Sequence, residues 1–140
     1  MSKIALVSVT TDVISARALS ELVSTPAAGA VVSFSGDVRD NDGGRKVTAL
    51  LYEAHPNAQL VLEKVAQEIA TKYSVERIAV AHRHGPIPIG ESALAACVSA
   101  KHRDSAFEAC QELVDEVKRQ IPIWKYQTFA DGTDEWVNCA

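Results

Sequence analysis

The stretch Lys101–Lys125, KHRDSAFEACQELVDEVKRQIPIWK, reads as one amphipathic helix, a proline break and the start of a strand. At about 100° per residue, Ala106, Phe107, Cys110, Leu113, Val114 and Val117 share one broad face. Glu108, Glu112, Asp115, Glu116 and Arg119 gather opposite. The pattern predicts a helix over 104–120 with its stripe against a core. Ser105 followed by Glu108 fits a capping box, with Asp104 as a second cap candidate. Arg119 stands four residues after Asp115, the spacing of a solvated ion pair. Pro122 stops the helix, and Ile123-Trp124-Lys125-Tyr126 continues as a strand.

The cations of this stretch point to a pocket for a small phosphorylated or carboxylated ligand. Lys101, His102 and Arg103 stand at the helix start, where unpaired N–H groups attract anions. Lys118 sits at the edge of the apolar stripe. It either snorkels its amine to water or points into a cleft as a proton donor or nucleophile, and the pattern leaves both open. A tight turn at Pro122 brings Lys125 back towards the helix end. Strand alternation groups Ile123, Lys125 and Gln127, with Trp124 and Tyr126 on the other face. The plainer readings are an edge-strand lysine that blocks aggregation, and core packing for the two aromatics.

Outward from there, strands are predicted at 3–10, 29–39, 46–54, 77–83, 92–100, 123–129 and 135–138. Helices are predicted at 14–24 (Leu19, Leu22 and Val23 inward) and from Pro56 (Val61, Val65 and Ile69 inward). DNDGG at 40–44 reads as a loop and GPIPIG at 85–90 as a turn. In the second strand Val32, Phe34, Gly36 and Val38 alternate with Ser33, Ser35, Asp37 and Arg39. Interleaved elements with a hairpin-like link at 83–92 predict an α/β or α+β fold with a mixed, partly antiparallel sheet. Residues 1–140 read as one domain.

An apolar fraction of 47% is enough for a buried core, and a net charge of −4 argues against a nucleic-acid binder. Any anion site is therefore a local concentration of cations. No apolar run approaches the roughly 18 residues that span a bilayer. MSKIALVSVTTD lacks a secretory pattern, so the expectation is a cytoplasmic protein without membrane contact. Cys97, Cys110 and Cys139 are too widely spaced for a zinc knuckle, and Cys97 and Cys110 read as structural hydrophobes. His82 and His84 share a strand face but lack a third ligand, so no metal is expected. Nucleotide-binding glycine motifs and a nucleophile elbow are absent, so no cofactor is expected.

Taken together, His82-Arg83-His84-Gly85, Gly90-Glu91, His102-Arg103-x-x-Ala106-Phe107, Lys118, Pro122-Ile123-Trp124-Lys125 and Trp136-Val137 resemble the catalytic, large subunit of molybdopterin synthase. VVSFSGDVR at 31–39 and Tyr52-Glu53 look like that family too. The resemblance implies an α/β hammerhead-type fold and sulfur transfer to cyclic pyranopterin monophosphate, forming the molybdopterin dithiolene. It implies a small ubiquitin-like sulfur-carrier partner with a C-terminal Gly-Gly thiocarboxylate, and a central homodimer of large subunits. Residue by residue it assigns Lys118 and Lys125 to catalysis. It assigns Arg39, His102 and Arg103 to the substrate's anionic groups, and Phe34, Asp37, Val38, Tyr126 and Gln127 to the site lining. Asp37 is expected to act through its backbone. The ending Trp136-Val137-Asn138-Cys139-Ala140 lacks the basic tail of some relatives, so no cross-subunit arginine is expected from it. The rival readings are a non-catalytic module binding an anionic metabolite, and an interaction subunit presenting Trp124, Tyr126 and Trp136.

Overall fold

A run of small and apolar residues buried on both faces forms the centre of the structure, a computed structural model that describes residues 2–138. Strand β7 (Ser92–Ala100) is buried at every position, and β5 (Arg77–Arg83) at all but its first. Such strands need cover on both sides. They form a four-stranded sheet with β1 (Ile4–Thr10) and β2 (Ala30–Asp37), in the order β1-β5-β7-β2. Only the β1–β5 pair is parallel; β5–β7 and β7–β2 are antiparallel.

Period-two alternation divides the two faces. Ile78, Val80, Leu94, Ala96 and Val98 pack beneath α2 (Ala58–Lys72) and α3 (Arg103–Gln120). Ala79, Ala81, Ala95 and Cys97 pack against Leu19 and Val23 of α1 (Ala16–Val23). The open edge of β1 is partly closed by Gln59 of α2. Its side-chain oxygen accepts from the Val9 N–H at 2.8 Å, and its Nε2 donates to the Val7 carbonyl at 3.0 Å.

A second sheet runs β3-β4-β8-β9, formed by β3 (Asn41–Asp42), β4 (Arg45–Ala54), β8 (Ile123–Phe129) and β9 (Asp134–Asn138). The short β6 (Gly85–Pro86) pairs with β4. Val38, Leu50, Ile87 and Ala93 form a small core joining the loop after β2 to both sheets.

The mixed, partly antiparallel α/β architecture agrees with the expectation, and several local readings are corrected. DNDGG is not all loop: Asn41 and Asp42 pair with Lys46 and Arg45 across the two glycines, both at positive φ. GPIPIG begins with the β6 bridge to β4. Leu22 is 44% exposed and Phe107 60% exposed, each at the margin of its stripe. Helix α3 starts at Arg103 with His102 as N-cap and no side-chain cap, so the Ser105 box is not used. Arg119 pairs with Glu116 at 2.5 Å rather than with Asp115. Trp124 is 38% exposed rather than in the core. Met1, Cys139 and Ala140 lie outside the described residues. Among the described residues no helix is long and apolar enough to cross a membrane.

Gly29 sits where β2 begins and α3 departs. A Cβ placed on it would stand 2.6 Å from the Lys101 carbonyl oxygen. Both groups are backbone, so neither swings aside. Gly29→Ala should therefore lower unfolding stability by about 1–3 kcal/mol, as overpacking does, read from the urea midpoint. An unchanged midpoint would contradict the close approach.

Candidate functional site

The two sheets and the end of α3 enclose a cavity of about 210 Å³. Lys118 borders it from the last turn of α3, Lys125 and Gln127 from β8, and Asp37, Val38 and Arg39 from the end of β2. Lys118 remains solvent-accessible while lining it, and Lys125 is half-buried. The side chains come together for local reasons. Ile121 closes the helix by donating to the Val117 carbonyl at 2.9 Å, and Pro122 turns the chain. The Pro122 carbonyl then accepts from the His55 N–H at 3.0 Å, which starts β8 in register with β4. Seven residues after Lys118, Lys125 faces the same hollow. Because β8 lies between β4 and β9, Lys125 is not an edge-strand lysine.

The Val38–Arg39 wall is tied down separately. The Val38 N–H donates to the Glu91 carbonyl at 2.9 Å, and the Gly90 N–H donates to the Val38 carbonyl at 2.8 Å. Glu91 is anchored in turn by the buried Arg83, whose Nη1 donates to Glu91 Oε1 at 2.6 Å. A charged hydrogen bond of this kind is among the stronger ones a loop can use.

Three cations around one hollow repel each other unless carboxylates answer them. Asp42, on β3, borders the cavity and accepts from Gln127 Nε2 at 2.7 Å. That amide, and more weakly Lys125, Arg39 and Arg45, hold the Asp42 carboxyl below its ordinary range against partial desolvation. Gln127 is 2% exposed and also reaches Glu135 at 3.3 Å, so it is fixed in the wall.

Four of the expected site residues lie elsewhere in a single chain. His102 and Arg103 are exposed at the opposite end of α3, about 22 Å along the axis from Lys118 at 1.5 Å per residue. Phe34 lines a separate apolar groove with Val32, Phe107, Cys110 and Val114. Tyr126 points to the other face of β8, where its ring lies 5.0 Å from Trp136 and its hydroxyl donates to Asp134. Alternation along the strand requires this separation from Lys125 and Gln127.

The cavity also contains residues not singled out as its lining, among them Asn41, Asp42, Leu50, Tyr52 and His82. Leu50 and Tyr52 alternate on β4, a signal present in the sequence. His82 lies in a strand of otherwise mostly apolar residues, and its buried ring carries no sequence signature beyond that. Burial drives its imidazole down to about 4, opposed by its bond to the Arg83 carbonyl and aided by Lys118 and His84. Cys110 is pushed up to about 11 by burial, and Cys97 is raised too, so neither buried thiol is a ready nucleophile. Among the described residues no group of three or more His, Cys, Asp or Glu could hold a metal ion.

The family model described as MoaE protein matches residues 9–120. A molybdopterin synthase catalytic subunit from Thermoplasma volcanium is 40% identical over 115 residues, covering 81% of this chain and 84% of its own. One from Arabidopsis thaliana is 41% identical over 113 residues, covering 80% of this chain. The chain spans only 57% of that plant relative's length. The crystal structure of molybdopterin synthase from Staphylococcus aureus superposes with a TM-score of 0.84 at 32% identity, covering 91% of this chain and 93% of that one. A complex of subunits 1 and 2 of molybdopterin-converting factor from Helicobacter pylori shares the fold, with a TM-score of 0.70 at 21% identity, covering 98% of this chain and 90% of that one.

The buried histidine gives the site a pH signature. The unfolded chain protonates His82 near 6.5, whereas the folded one does so near 4. A lowered histidine pKa means the unfolded state binds more protons between those values. Stability should therefore fall as pH drops from about 6.5 towards 4, by at most roughly 1.4 kcal/mol per pH unit from this group. Urea midpoints over that window should show the slope, and His82→Gln should flatten it. An equal slope in both proteins would contradict the assignment.

Proposed function

The chain belongs to the MoaE family, and on that premise we propose that it is the catalytic subunit of a molybdopterin synthase, a sulfurtransferase acting on cyclic pyranopterin monophosphate. The observation that carries this reading is the convergence of Lys118, Lys125 and Arg39, from three separate elements, on one cavity. An anionic pterin phosphate and a thiocarboxylate must meet there, and a cationic hollow favours both. The protein's own buried thiols are poor nucleophiles, which fits a reaction whose nucleophilic sulfur arrives on a partner.

The proposed partner is a small ubiquitin-like sulfur carrier whose C-terminal Gly-Gly thiocarboxylate enters the cavity. The Helicobacter pylori protein of the same fold is itself a complex of two subunits. Lys118 acts as general acid/base or as a transient acyl acceptor. Lys125 orients the thiocarboxylate and neutralises charge that develops as sulfur leaves it for the pterin. Arg39, the backbone of Asp37 and Val38, and Gln127 complete the wall.

His102 and Arg103 stay remote from their own chain's lysines, so their role in binding the substrate's anionic groups is proposed through a second copy. Among the described residues β2 is an unpaired edge, and the groove that Val32, Phe34 and the 60% exposed Phe107 line beside it offers an apolar surface for a homodimer. Free, buried Cys97 and Cys110 fit a reducing compartment, and the cytoplasm is the proposed location.

Supplying thiocarboxylated partner and pterin precursor, with the product read by mass spectrometry, tests the function directly. A non-catalytic binding module would show affinity without conversion. Lys118→Ala should lower turnover at least about a thousandfold while partner affinity stays within a few-fold. Full retained activity would remove Lys118 from the mechanism. Arg103→Ala should mainly raise the pterin KM, and an unchanged KM would count against its role.

A further inference from the structure

Asp42 stands in the wall of a cavity read as a site for anions, yet the proposed chemistry gives this carboxylate no task. Its position is built into the fold. The β3–β4 hairpin pairs Asp42 with Arg45 across Gly43 and Gly44, both at positive φ. Asp42 Oδ2 accepts from Gln127 Nε2 at 2.7 Å, and the same nitrogen reaches Glu135 at 3.3 Å. Gln127 is 2% exposed on β8, which lies between β4 and β9, so it offers a fixed donor.

What holds Asp42 is a neutral amide, and the cations stay out of contact with it. Among the described residues Asp42 makes no ion pair, and neither Arg39 nor Lys125 spends its side-chain donors on another protein group. Arg45, its register partner, turns instead to Thr133 and Asp131 and lies over the Phe129 ring. Lys118 borders the same cavity from α3, and Asp37, the other carboxylate there, accepts from Ser35 Oγ at 2.5 Å. Asp42 therefore acts on Arg39 and Lys125 through its field. A carboxylate in contact would occupy their donors. One held back leaves those donors open and still lowers the attraction the cavity offers an incoming anion.

We infer that Asp42 is a specificity-determining residue: a resident negative charge that keeps small free anions out of the cavity and admits a carboxylate or phosphate carried on a larger body. The inference rests on the reading of the cavity as an anion site. Unopposed cations around one hollow would be filled by whichever small anion was most abundant. The repulsion from Asp42 falls on any anion of the same charge alike. Only a ligand with further contacts of its own overcomes it, which is discrimination through a repulsive element.

Asp42→Asn removes the charge and keeps an oxygen to accept from Gln127. Inorganic sulfate is the probe, because it stays a dianion throughout the carboxyl range. Amide chemical shifts of Val38 and Arg39, followed as the full chain is titrated with sulfate, should give a Kd roughly tenfold lower in D42N than in the wild type. Adding Lys125→Gln to D42N should cancel most of that gain. An equal Kd in wild type and D42N, or a gain that survives the loss of Lys125, overturns the inference. Damage to the wall would weaken binding, so a tighter Kd reads the charge. Reciprocity supplies a second measurement on the unsubstituted protein. Sulfate bound near an ionised Asp42 favours its protonated form, so the carboxyl should titrate at higher pH when sulfate saturates the cavity. An unmoved titration, read by carbon NMR, overturns the inference as well, and it decides the matter should D42N fail to fold. Neither measurement uses the partner, the pterin or turnover, so failure of the proposed reaction and failure of this inference give different results.

Discussion

The turn at Ile121-Pro122 is the constraint on which the site depends. It ends α3 where the core ends, and its proline carbonyl hands β8 to β4 through His55. Lys118 precedes the turn and Lys125 follows it, so one local geometry sets how both ammonium groups enter the cavity. The turn is itself held by burial: Val117, Ile121 and Ile123 are all within the main core. Positioning here is a consequence of packing, and a lost core contact at these three residues would be felt at the site.

Bringing like charges together carries an electrostatic cost, and the structure shows how it is offset. Asp42 is placed by a two-residue strand and kept ionised first by the Gln127 amide that fixes it and then by the cations it faces. Buried Arg83, paired with the partly exposed Glu91, holds the loop that carries Val38 and Arg39. The carboxylate of that pair faces water, which screens the attraction, so this clamp is more a device for geometry than a source of net stability. Burial keeps the His82 ring from adding another positive charge to the cavity wall.

Much of this was legible in the residues. The alternation of β8 was enough to group Lys125 with Gln127, and the proline stop to bring Lys125 back towards the helix end. The period of α3 left Lys118 between solvent and a cleft, and the family resemblance assigned it to the pocket. The alternation of β8 also placed Tyr126 on the other face, against its assignment to the lining. What the chain could not reveal locally came from tertiary contacts. The Asn41-Asp42 bridge needs β4 as its partner, and Tyr52 of that same strand packs edge-on against the buried His82 ring. Phe107 read as core because helical spacing marks a face without saying how far the opposing sheet extends. The distance of His102 and Arg103 from the lysines follows from the rise of the helix they share, which outweighs their common charge as a guide to location.

The most direct test of the central claim is a crystal structure of this chain with the Gly-Gly tail of its small partner bound. The account predicts the tail's terminal carboxylate or thiocarboxylate inside the cavity, within hydrogen-bonding distance of both Lys118 and Lys125. A tail seated on another surface, with the two ammonium groups turned away from it, would contradict the account.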